Sequence, residues 1–172
     1  MNLYLRLLWL VLTNGYRGKL HIQDESAIRL RVWPNDLDLN GHLNNGRYAT
    51  MMDLGRIDLL LRAGIVAEMR RSHWFPVVSD LSIQFKRPLK PFCKIDLKTT
   101  LVGWDERWFY FKQVFEYKGK ACAVGWVQGQ LRQGRKHVPT AEILDFLEPR
   151  QRPDLPVDSP WIYGRSQSNA GF

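Results

Sequence analysis

Apolar and polar residues alternate along several stretches of the chain, and two periods dominate. From Ser26 to Trp33, Ile28, Leu30 and Val32 alternate with Arg29 and Arg31, the pattern of a half-buried strand. Pro34 and Asn35 stop it, and a polar, glycine-containing loop over residues 35–45 follows. Residues 46–62 predict one helix. Tyr48, Met51, Met52, Gly55 and Leu59 make it apolar on most faces, with Asp53, Arg56 and Asp58 as exceptions, and a helix of that kind is buried. Gly64 closes it, and residues 65–71 predict a short second helix. Period-two patterns return at 80–86, 94–101, 107–117 and 121–132. The third of these is aromatic on both faces, Trp108 and Tyr110 against Phe109, Phe111 and Phe115, and so predicts cover on both sides. The last alternates small residues (Ala121, Ala123, Gly125, Val127, Gly129) with Cys122, Val124 and Trp126, which would let the buried helix come close. Tight connections at 87–91, 103–106 and 118–120 make this an antiparallel meander after a buried helix, an α+β architecture. Residues 140–147 predict a closing helix capped by Thr140.

The chain has 172 residues, enough for one domain, placed at 21–148 between an N-terminal apolar segment, 1–20, and an irregular Pro- and Ser-rich tail, 149–172. The apolar run Leu3–Leu12 is interrupted by Arg6 and falls short of the ~20 residues of a membrane span. It also lacks the basic leader and small-residue cleavage site of a secretory signal. Two readings stand: a helix packed on the domain or on an oligomer neighbour, or a helix making weak contact with a membrane surface, with Tyr4 and Trp9 as anchors. The two cysteines, Cys93 and Cys122, are too few for a disulfide framework and fit a reducing cytoplasm. A net charge of +8 favours acidic partners such as a phosphorylated cofactor, an acidic carrier protein or anionic lipid. No groove-entering basic helix or RNA-binding aromatic signature appears, which argues against nucleic acid.

The candidate chemistry lies in one loop. Asp36, Asp38, Asn40, Gly41 and His42 stand within seven residues, directly before the buried helix. The opening matches a calcium loop, but position twelve, which must be a bidentate Glu, is Arg47, so no metal site is expected. Asp and Asn also fill turns and cap helices for local reasons, and Asn44 or Asn45 could cap this helix. The third reading is acyl transfer. A helix N-terminus offers free N–H groups and a positive dipole end for a carbonyl oxygen that gains charge. A carboxylate just upstream can attack that carbonyl or deprotonate water.

The run Asp38-x-Asn40-Gly41-His42-x-Asn44-Asn45-x-x-Tyr48 resembles the hot-dog-fold thioesterases of the 4-hydroxybenzoyl-CoA type. The Asp-Leu-Asp-x-Asn-x-His-x-Asn-Asn string is also similar to plant acyl-ACP thioesterases. The Gly103-Trp104-Asp105 segment before an aromatic strand resembles proteins of the thioesterase superfamily member 6 type. The resemblance covers roughly residues 28–147 and implies a hot-dog fold: an antiparallel sheet wrapped around one long helix, joined to a second subunit as one continuous sheet in a homodimer or homotetramer. It implies Asp38 as nucleophile or general base, with Asn40 and His42 in the catalytic set and the Asn45 backbone N–H as carbonyl donor. Tyr48 is expected in the acyl-pocket wall or core. Asp53 and Arg56 are spaced as an i,i+3 pair.

The expected activity is hydrolysis of an acyl-CoA or acyl-ACP thioester, with coenzyme A entering as part of the substrate and no resident cofactor. Arg47, Lys86, Arg87 and Lys90 are the candidates for contacts to its phosphates. Trp74, Phe75, Trp108 and Tyr110 suggest a roomy apolar pocket. A hydratase of the same fold would place a His five residues after an Asp. Leu43 and Gly41 occupy those positions here. The rival from another class is a non-catalytic acyl-binding or membrane-associated module.

Overall fold

The computed structural model describes residues 3–147 and 153–161. Helix α1 (Leu3–Thr13) leads to strand β1 (Ser26–Arg31), the long helix α2 (Asn45–Arg62) and the short α3 (Ile65–Arg71). Strands β2 (Trp74–Phe85), β3 (Lys94–Trp104), β4 (Phe109–Tyr117), β5 (Lys120–Gln133) and the two-residue β6 (Lys136–His137) follow, then α4 (Thr140–Leu147). The sheet is antiparallel in the order β1-β3-β4-β5-β2, with β6 also on β5. The expected α+β meander around a buried helix is what forms.

Two expected boundaries move. The strand placed at 80–86 starts six residues earlier, at Trp74, because a bulge between Val78 and Asp80 keeps it paired to β5 past the break in its alternation. The turn placed at 103–106 sits at 105–108. Gly103 and Trp104 belong to β3, and Asp105 turns the chain by accepting the Arg107 and Trp108 N–H groups (2.9 and 2.8 Å).

Helix α2 starts where Asn44 accepts the Gly46 N–H (2.9 Å) and ends before Gly64, whose φ of +79° separates it from α3. Met51, Met52, Leu54 and Leu59 are fully buried. Burial of each such side chain is worth about 1.5–3 kcal/mol. The approach to the sheet is close. A methyl group on Gly55 would stand 2.5 Å from Thr99 Oγ1 and 2.8 Å from Gln113 Nε2, and one on Gly125 of β5 would collide with the end of Met52. The fully buried Gln113 of β4 spans this contact. Its amide donates to the Met52 carbonyl and to Thr99 Oγ1 (both 2.9 Å) and accepts from Arg56 (2.7 Å).

The N-terminal segment packs on α2. Leu10 and Arg6 of α1 are buried, and Arg17 and Ser26 both donate to the buried Asp58. Tyr4, Leu5, Leu8, Trp9 and Leu12 point outward from α1. Among the described residues no helix is long and apolar enough to cross a membrane. Of the tail expected to be irregular, 148–152 and 162–172 lie outside the described residues. Residues 153–161 form no helix or strand and lie against the outer face of the sheet. Trp161 meets Tyr110 at a tilt with ring centres 5.0 Å apart, meets Trp126 edge-on and donates to Asp80 (3.0 Å).

Removing the close approach tests it. Gly55→Ala should lower unfolding stability by about 1–3 kcal/mol. Gly125→Ala should cost less, because the flexible end of Met52 can shift. Urea denaturation of the two variants decides, and equal, negligible losses would refute the contact.

Candidate active site

Backbone hydrogen bonds set the path of the loop ahead of α2. Asp38 N–H donates to the His42 carbonyl (2.8 Å), and Gly41, at φ +71°, turns its own N–H onto the Asp38 carbonyl (3.1 Å). Leu43 then donates to Leu89 (2.8 Å) and Asn44 to the Asp36 carbonyl (2.9 Å), which fixes the entry into the helix. The turn carrying Lys86, Arg87 and Lys90 is thereby held beside the loop, with these three side chains exposed.

The two aspartates have opposite surroundings. Asp36 is wholly buried. It accepts from the Trp33 N–H (2.9 Å), from Arg6 of α1 and from Nε and Nη2 of Arg47 (2.9 and 2.7 Å). Burial alone would raise its pKa, but the Trp33 N–H, Arg6 and Arg47 outweigh that and hold it below the usual carboxylate range. Asp38 is half-buried. Its Oδ1 accepts the N–H groups of Asn40 (2.9 Å) and His42 (3.1 Å), and its Oδ2 is open among the described residues. A carboxylate oriented through one oxygen and free at the other is arranged to react.

The other expected site residues fall as follows. Asn45 is the first residue of α2, and its N–H has no acceptor among the described residues, whereas the next two N–H groups go to Asn44. Asn40 is exposed and His42 half-buried in the same loop. Tyr48 is buried edge-on between Phe85 and Phe115, at 5.0 and 4.9 Å. Burial first, then the charges of Cys122 and Asp38, push its phenol up to about 12, so it stays neutral. Arg47, expected among the phosphate contacts, is held by Asp36 through two of its guanidinium nitrogens. Asp53 and Arg56 do form the i,i+3 ion pair. Among the described residues no cluster could hold a metal ion.

The apolar cavity, about 320 Å³, is not where the aromatic residues had suggested. Leu3 and Leu7 of α1, Ile57 and Leu60 of α2, Val77 of β2 and Phe109 and Phe111 of β4 are among its lining residues. Tyr110 points to the opposite face and donates to Asp105 (2.5 Å), Trp108 lies under Arg107, and Phe75 is exposed. Strand parity decides this, because the odd-numbered residues of β4 face α2.

A long helix wrapped by an antiparallel sheet, with a carboxylate loop at its N-terminus, defines the hot-dog fold. The chain belongs to the thioesterase-like superfamily, whose family model matches residues 32–146. It is 30% identical over 165 residues to Protein THEM6 of Danio rerio, covering 92% of this chain and 80% of that one. It is also 30% identical over 130 residues to the chloroplastic acyl-acyl carrier protein thioesterase ATL2 of Arabidopsis thaliana, covering 69% and 68%. Among solved structures, the probable thioesterase YbaW of Escherichia coli superposes with a TM-score of 0.66 at 19% identity, over 71% of this chain and 95% of that one. The chain is a thioesterase, a hydrolase of thioesters.

Asp36 carries a stability consequence. Its folded pKa is lowered, so its contribution is present above the unfolded value of about 3.9 and lost as pH falls through the folded one. Asp36→Asn strands Arg6 and should cost about 3–5 kcal/mol at neutral pH. It should also flatten the loss of stability below roughly pH 4. Denaturation midpoints between pH 3 and 7 test both; an acid limb unchanged in the variant would remove the assignment.

Proposed function

We propose that the protein hydrolyses acyl-CoA thioesters, with Asp38 as the reacting carboxylate. The open Oδ2 of Asp38, in the loop that leads into α2, and the Asn45 N–H at the start of that helix, which has no acceptor among the described residues, carry the proposal. In this reading the thioester carbonyl lies over the N-terminus of α2. The Asn45 N–H donates to its oxygen, and the helix dipole stabilises the oxyanion of the tetrahedral intermediate. Asp38 either adds to the carbonyl carbon or takes a proton from an attacking water, with Asn40 and His42 orienting that water. The C–S bond then breaks and coenzyme A leaves as a thiolate; where Asp38 has added to the carbon, water then hydrolyses the acyl-aspartyl anhydride to the free acid and the carboxylate, and where water has added, the acid is released directly. The apolar cavity supports an acyl group of some length over a small polar one. ATL2 is named for acyl-carrier-protein thioesters, which makes that carrier the alternative leaving group.

The working unit in this reading is a homodimer joined through β2. Among the described residues that strand pairs only with β5; it is twelve residues long and leaves Phe75, Val78, Leu81 and Phe85 exposed. A long apolar edge is a template for pairing. Antiparallel pairing of β2 with its copy would set the Trp74 end of one subunit against the Phe85 end of the other. The catalytic loop of each would then face the acyl cavity of its neighbour. The outward apolar face of α1 supports weak contact with a membrane surface. Free thiols at Cys93 and Cys122 suit a cytoplasmic, reducing setting.

Asp38→Asn should abolish turnover, by at least 10³-fold in kcat, while leaving acyl-CoA binding and thermal stability near wild type. Thiol release over a panel of acyl chain lengths measures it. Unchanged kcat would sink the mechanism, and binding without release by the wild type from every substrate would replace it with an acyl-binding role.

A further inference from the structure

Helix α1 carries apolar residues all round, and only part of it is covered. Arg6 and Leu10 are buried, and Leu3 and Leu7 line the apolar cavity. The opposite side presents Tyr4, Leu5, Leu8, Trp9 and Leu12, each about half exposed or more. A helix that is apolar on every face needs cover on every face, and a contiguous exposed apolar stripe marks a contact surface. The dimer proposed above is joined through β2, a different element.

Three features fit the stripe to an anionic lipid surface. Tyr4 and Trp9 are rings with a polar tip, the side chains that settle at the level of lipid headgroups. No acidic residue precedes Asp24, Lys19 is exposed just beyond the helix, and the chain carries a net charge of +8. The third feature is the cavity itself. Leu3 and Leu7 face it while Tyr4 and Leu8 beside them face outward, so one helix thickness, about 10 Å, separates it from whatever covers the stripe. Helix α4 repeats the arrangement, with Ile143 and Leu147 lining the cavity and Phe146 exposed.

We infer that α1 lies on an anionic bilayer surface and passes long acyl chains from the lipid into the cavity behind it. The inference rests on the acyl-CoA reading above and gives that site its substrate class, thioesters whose acyl chains are long enough to reside in a membrane. Such a thioester keeps its chain among the lipid tails and its coenzyme A in water. With the stripe seated in the headgroup layer, the chain exchanges lipid for the Leu3 and Leu7 wall, and its apolar surface stays out of water throughout. Outward movement of the first turn of α1 opens that wall. Arg6 limits the movement, because its bonds to Asp36 and to the Arg31 carbonyl (3.2 Å) tie the helix to the segment that carries the reactive loop.

The test uses vesicles of phosphatidylcholine and phosphatidylglycerol in equal parts, set against vesicles of phosphatidylcholine alone. The wild type should bind the mixed vesicles at least tenfold more tightly than the neutral ones in co-sedimentation. The combined variant Leu5→Gln, Leu8→Gln, Leu12→Gln should bind the mixed vesicles at least tenfold more weakly than the wild type. Its three side chains point outward, so it should keep the wild-type melting temperature and the wild-type kcat/KM on a short-chain acyl-CoA in solution. On a long-chain acyl-CoA carried in the mixed vesicles it should lose at least tenfold in kcat/KM. A second readout leaves the leucines in place: lipids brominated on their acyl chains should quench the wild type more than Trp9→Phe. Absence of vesicle binding, binding indifferent to the variant or to lipid charge, equal quenching, or unchanged long-chain turnover by the variant would overturn the inference. So would a variant that only lowers the oligomeric state, which would assign the stripe to a second copy. No thiol release from any acyl-CoA would instead overturn the hydrolase reading, while vesicle binding sensitive to the variant would still support the lipid-facing surface.

Discussion

Gly55 leaves no side chain between α2 and the strands beneath it, and the rest of the architecture depends on that closeness. With the helix backbone this near β3 and β4, the Gln113 amide can reach the Met52 carbonyl and lock helix to sheet from within the core. Gly125 answers it on β5 by giving Met52 a place to lie. The axis of α2 is thereby fixed against three strands. Its N-terminus can then emerge at a defined point of the rim, where the Asp38 loop folds back over it. An apolar helix one methyl further out would tilt, and a few degrees of tilt at mid-helix is an ångström or more at a terminus some 15 Å away.

Environment divides the labour of the two neighbouring aspartates. Asp36 and Asp38 have the same side chain and are two residues apart, yet one is sealed between two arginines and the other keeps an open oxygen. Structure and reactivity are thus separated within one short segment, and the sealed carboxylate holds still the loop that presents the open one.

Much of this is legible in the chain itself. The buried helix, the meander and the small face of β5 follow from periodicity, and the Asp-x-Asn-Gly-His run before a buried helix marks the loop. What escaped has specific causes. The start of β2 was hidden because the bulge at Val78–Asp80 breaks the alternation that would reveal it. The apolar cavity was assigned to the wrong aromatics because residues 107–117 are aromatic at both parities, and only the position of α2 says which parity faces in. The occupation of Arg47 could not be read locally, since Asp36 completes its shell with Arg6 from 30 residues earlier. One signal was present. A single arginine in an otherwise apolar helix is costly to bury, so Arg6 implied an acidic partner somewhere.

The double grip on Asp36 also constrains how the sequence can change. Loss of Arg6 alone leaves a carboxylate short of charge, and loss of Asp36 alone leaves a cation buried in helix α1 with only the Arg31 carbonyl and no counter-charge to meet it. Neutral drift at either position is therefore closed unless both move together, with Arg47 then released. The amino-terminal helix and the reactive loop are bound as a single heritable unit: a descendant that discards the first must already have rewritten the second.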